Sequence, residues 1–131
     1  MQPLTDLSLM DHLHDSKVTA LVWDTSDPSQ RCIRLSLTTP FDIEHAAWRG
    51  CALTINMSDV VLCRLVGFGY QIGIGRFDSF REGVAVELEE ECRRLKEAGI
   101  SIPPLAFTLI FGDGSTLELV CEKVAAEVTK C

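Results

Sequence analysis

Residues 105–123 read LAFTLIFGDGSTLELVCEK, and this stretch decides the fold class. Two apolar-rich runs, 105–111 and 115–123, flank Gly112-Asp113-Gly114. Asp-Gly between alternating runs is a strong hairpin signal, because a tight reversal needs residues that tolerate positive φ. The two runs therefore read as neighbouring antiparallel strands.

The same two-residue rhythm recurs upstream. Over 31–38, Ile33, Leu35 and Leu37 point one way and Arg34 and Ser36 the other, as on a half-buried strand. Over 51–57, Cys51, Leu53, Ile55 and Met57 alternate with Thr54 and Asn56. Residues 60–66 form a further strand after a reversal at 56–59. Residues 17–24 place Val18, Ala20 and Val22 on one face and Leu21 and Trp23 on the other. A strand that is apolar on both faces is expected to be central or covered on both sides. The polar stretch 24–30, DTSDPSQ, turns it into the strand at 31–38. Residues 124–131 either extend the last strand or form a short helical turn.

One segment changes rhythm. Over 79–98, Val84, Leu88, Cys92 and Leu95 make an apolar stripe at helical spacing. Ser79-x-x-Glu82 matches a capping box. Glu89 with Arg93, and Glu90 with Arg94, are favourable i,i+4 pairs. Gly99 is a stop signal. Residues 83–88 also alternate, so a start at Val86 competes with one at Ser79. Residues 100–104 form an extended connector because of their prolines. Residues 1–16 read as a loosely ordered arm with one helical turn near 7–12. The expected architecture is α+β: a mainly antiparallel β-sheet or sandwich of six or seven strands with one packed helix.

Composition agrees with a single domain over 1–131, since 131 residues with 47% apolar content can build one core without a staple. The six cysteines lie in apolar runs and include no Cys-x-x-Cys pair. They are expected to be reduced, buried thiols in a cytoplasmic protein, because no secretory segment is legible at the start. No stretch approaches the roughly 20 apolar residues of a membrane span. The net charge of -7 disfavours nucleic acid and anionic membrane as partners and suits a basic protein partner. It leaves homo-oligomerisation open.

Several groups carry chemistry. His12-x-His14-Asp15 places three potential ligands close together, with His45 the remaining imidazole. That set falls short of a metal centre, which needs three or four converging groups with supporting partners, so no metal or cofactor is expected. His14 and Asp15 could serve a small hydrolase; alternatively, Asp15 and Ser16 simply satisfy free backbone donors where the arm enters the first strand. Cys51 follows His45 and Trp48, but an inward thiol is inert. The glycines from Gly67 to Gly75 lack the strand-to-helix setting of a dinucleotide fingerprint. They suit a bulged strand or, alternatively, a small-molecule surface beneath Phe68 and Tyr70. Glu89, Glu90 and Glu91 splay around the helix as a solvated face. In the 40–50 loop, Trp48 and Arg49 are interface-anchoring types, with Asp42 and Glu44 beside them as acidic contacts. The competing role for Trp48 is to cap the edge of the core.

Leu13-His14-Asp15-Ser16 leads directly into an alternating strand, then a polar turn, the strand at 31–38, a tryptophan loop, the 53–57 strand and a late hairpin over 107–121. This pattern, over 13–121, resembles small bacterial β-rich proteins, immunity-type or uncharacterised, that open with a His-Asp pair before the first strand. Some of these are linked to polymorphic toxin systems, where the immunity protein binds and blocks its toxin. The resemblance implies a non-enzymatic, protein-binding inhibitor whose partner is a basic toxin domain.

Overall fold

The structure is a computed structural model that describes residues 2–27, 31–67 and 75–131. Alternation is realised as strands throughout. The described residues form β1 (Gln2–Pro3), β2 (Lys17–Asp24), β3 (Cys32–Thr38), β4 (Ala52–Ser58), β5 (Leu62–Val66), β6 (Phe77–Glu82), β7 (Leu105–Phe111), β8 (Thr116–Cys121) and β9 (Lys123–Lys130). One α-helix, α1 (Val86–Glu97), stands between β6 and β7. All strand pairs are antiparallel. The class is the expected one, and β1, β6 and β9 add to the strands that alternation made legible.

The strands divide into two sheets, ordered β1-β9-β4-β3-β2 and β5-β8-β7-β6. The β7–β8 hairpin closes at Gly112–Gly114, where Gly114 takes φ +88 and Asp113 accepts the Ser115 N–H at 2.9 Å. A left-handed residue at that point is cheap only for glycine. β4 pairs with β9 in the first sheet, while their continuations β5 and β8 pair in the second. One ribbon therefore runs through both layers. It bends where Asp59 takes φ 55, and hydrogen bonds continue around the corner from Glu122 to Ser58 (3.2 Å) and from Val61 to Val120 (2.9 Å). At the opposite margin Lys17 bridges Arg76, and the Phe77 N–H donates to the Ser16 carbonyl at 2.8 Å. The sheets are thus laced along two margins.

The core lies between them. Ile33, Leu35, Leu37, Leu53, Ile55 and Met57 face Phe77, Phe107, Leu109, Leu117 and Leu119 in one buried cluster. Phe77 meets Phe111 edge-on at 6.1 Å, a favoured aromatic geometry.

α1 is seated by a buried carboxylate. Glu118 of β8, 3% exposed, accepts the Ala85 N–H at 2.6 Å on one oxygen and faces Arg64 Nε at 2.9 Å on the other. It satisfies a backbone donor at the helix start, which has no side-chain cap of its own. Arg64 also reaches Glu87 at 3.3 Å. On the outer face Arg93 pairs with Glu90 and Glu97, and Arg94 with Glu91, rather than in the expected i,i+4 set.

Four expectations need correction. The helix begins at Val86, the later of the two competing starts, so the Ser79 start and its capping box are what is corrected: 77–82 is β6. A register shift between Phe77 and Ser79 puts Phe77 and Phe80 in the same core, and that three-residue spacing imitates a helix. β2 is an edge strand rather than a central one, with Val22 43% and Trp23 54% exposed. The 1–16 arm is integral to the fold. Leu7–Leu13 is a 3-10 helix whose Met10 and Leu13 are fully buried, and β1 pairs with β9. Spacing of three suits 3-10 geometry, where i and i+3 eclipse.

The fourth correction concerns the cysteines. Cys51 and Cys131 form a disulfide with Cα atoms 4.1 Å apart across a sequence separation of 80. Ala52 pairs with Lys130, so the two cysteines are the next neighbours along the β4–β9 ladder. Cys32, Cys63, Cys92 and Cys121 are free. Desolvation pushes the half-buried Cys63 thiol up to about 11 and the buried Cys121 thiol up to about 12, which disfavours the reactive thiolates. Among the described residues no helix is long and apolar enough to cross a membrane.

Candidate functional site: an acidic groove beside the tryptophan loop

The loop from Thr39 to Cys51 is held from within. The Thr39 hydroxyl bonds the Trp48 carbonyl and accepts the Cys51 N–H at 2.8 Å. Arg49 Nε donates to the Ile43 carbonyl at 2.6 Å, and its guanidinium reaches the Glu44 carbonyl at 3.4 Å. Gly50 closes the turn at φ +61 beneath the Phe41 ring, where a Cβ would collide. Trp48 is 6% exposed and stacks on His45 with ring centroids 4.1 Å apart. It caps the core edge and is not an exposed anchor. The expectation of a Trp48 contact surface is corrected: burying the indole is worth more than displaying it. Arg49 is exposed but is engaged with the carbonyls of its own loop.

The 3-10 helix Leu7–Leu13 lies against this loop. Between them runs a groove of about 400 Å³ lined by Asp11, His12, His14, Asp15, Asp42 and Glu44. Two expected clusters, His14 with Asp15 and Asp42 with Glu44, thus become one site. All four carboxylates are exposed. His12 Nδ1 lies 3.6 Å from Glu44 and its ring 6.2 Å from that of His45. Asp11 also accepts the Phe80 N–H at 2.9 Å, which ties the groove floor to β6.

His14 Nδ1 lies 2.8 Å from the Asp78 carbonyl, and Nε2 lies 3.5 Å from Asp15. The Asp78 carbonyl, aided by the charges of Asp15 and Asp78, raises the imidazole above its ordinary value. The acceptor at Nδ1 and the carboxylate near Nε2 favour the protonated ring. Asp15 itself sits at φ 65, with its N–H donating to the Phe77 carbonyl at 2.9 Å and its carbonyl accepting from Arg76 at 3.0 Å. That makes His14 and Asp15 a clasp between the arm and β6.

Among the described residues no group of three His, Cys, Asp or Glu is placed to hold a metal. The glycine stretch beginning at Gly67 and ending at Gly75 falls largely outside the described residues, as do Phe68 and Tyr70. Asp11 and Asp78 escaped sequence reading. Asp11 was legible only as one more acid beside His12, and Asp78 reaches the site through tertiary packing. No family model, curated protein or solved structure matches the chain.

Proposed function

We propose that this protein is a non-enzymatic protein-binding module whose acidic groove receives a basic partner, in the manner of an immunity-type inhibitor in the cytoplasm. The supporting observation is the convergence of Asp11, Asp15, Asp42 and Glu44, from segments far apart in sequence, on one exposed groove. The overall charge of -7 adds long-range attraction. Such complementarity sets on-rate and partner choice more than raw affinity.

The test compares wild type with an Asp15→Asn, Asp42→Asn, Glu44→Gln variant for binding of an oligolysine peptide at low salt. Loss of three carboxylates is expected to weaken binding by about tenfold. A control variant with Glu89, Glu90 and Glu91 changed to Gln should bind like wild type. Equal binding by the groove variant, or loss confined to the helix variant, overturns the reading.

A further inference from the structure

We propose that the Cys51–Cys131 disulfide is a redox latch, opened by a dithiol reductant, that holds the end of β9 against the loop carrying Asp42, Glu44 and His45. The bond sits beyond the last ladder pair, Ala52 with Lys130, and next to a register shift between Ala52 and Leu53. Residues 127–131 are all exposed, so little apolar burial secures this end. Apart from the ladder, a hydrogen bond from the Thr129 hydroxyl to the Ala52 carbonyl (3.1 Å) helps to hold it. At the other end of the bond, Cys51 is 2% exposed and anchors the loop through Thr39. The latch therefore joins a rigid loop base to a strand end that frays without it.

Accessibility is one-sided in the way exchange requires. Cys131 is exposed, so an incoming thiolate attacks its sulfur, forms a mixed disulfide there and expels Cys51 as the thiolate. The second thiol of the reductant then attacks its own sulfur in the mixed disulfide and releases Cys131. Two protein thiols and one reductant disulfide result, and the reverse exchange recloses the bond. Desolvation raises the thiols of Cys63, Cys92 and Cys121, which disfavours their thiolates as competitors in exchange. In the cytoplasm of the proposed function a disulfide is usually a transient or sensing bond, and the other four cysteines are free. Trp48 and His45 also line a second groove of about 490 Å³ with Ala126 and Val128, so loosening β9 reaches the back of the loop. The effect on partner binding rests on the acidic-groove reading.

The experiment is hydrogen exchange on the full chain, oxidised and after dithiothreitol. Reduction is expected to speed exchange by about tenfold or more over 39–51 and 127–131, with β7 and β8 unchanged. Cys131→Ser should show the reduced pattern without reductant and no further response to it. Identical exchange in both redox forms, or acceleration throughout the chain, overturns the latch. Oligolysine binding, measured in parallel, should weaken several-fold on reduction. Equal affinity in both forms overturns the regulatory role and leaves the groove reading standing. Absence of binding in both forms overturns the groove reading, and exchange then decides the latch by itself.

Discussion

Glu118 shows how one side chain can hold an element in place. Its two oxygens meet the Ala85 N–H and Arg64, with the carboxylate withdrawn from water. Glu118→Ala leaves the helix-start donor without its acceptor and Arg64 with Glu87 alone, and should cost about 2 kcal/mol in denaturant unfolding. His14 makes a smaller contribution with a definite sign. Its folded value is raised from 6.5, so its stabilisation is complete below that pH and is lost as pH rises through the folded value. Wild type should lose this increment on titration upward from pH 6.5, and His14→Gln should lack it. Trp48 and His14 were both legible as special residues, and at each site the sequence left a functional and a structural role open. Indole chemistry suits a core wedge as well as an interface anchor, and only the stacking on His45 and the 6% exposure decide between them.

Among the elements, alternation made β3, β4, β7 and β8 legible because each shows one face to a single core. It misplaced β2, whose two apolar faces suit a central strand but end on an edge with Trp23 exposed. It also missed β6, where the bulge between Phe77 and Ser79 breaks the two-residue period. Ser79 distinguishes the assignments directly. As a helix cap, Ser79→Ala would cost about 1 kcal/mol. As a strand residue whose hydroxyl bonds only Asp78, it should change stability by less than about 0.5 kcal/mol, read from urea midpoints. The arm failed for a related reason: spacing of three at Leu7, Met10 and Leu13 carries too few turns to announce a buried 3-10 helix.

For the whole molecule, long-range register is what residue patterns withhold. The bent β4–β5 and β8–β9 ribbon aligns Cys51 with Cys131 across 80 residues, a pairing that no local spacing reveals. Closing so long a loop restricts the unfolded chain, so Cys51→Ser with Cys131→Ser should lower stability by about 2–4 kcal/mol relative to the oxidised protein. The groove is likewise a product of topology. Its halves were visible separately, as His14 with Asp15 and as Asp42 with Glu44, and packing of the arm on the tryptophan loop unites them.

The most direct measurement is amide chemical-shift mapping of the oxidised, isotope-labelled protein titrated with oligolysine. Perturbations should concentrate at Asp11–Asp15 and Asp42–Glu44 and should vanish at high salt. Shifts centred on the acidic face of α1 or along the β2 edge, with the groove silent, would contradict the account.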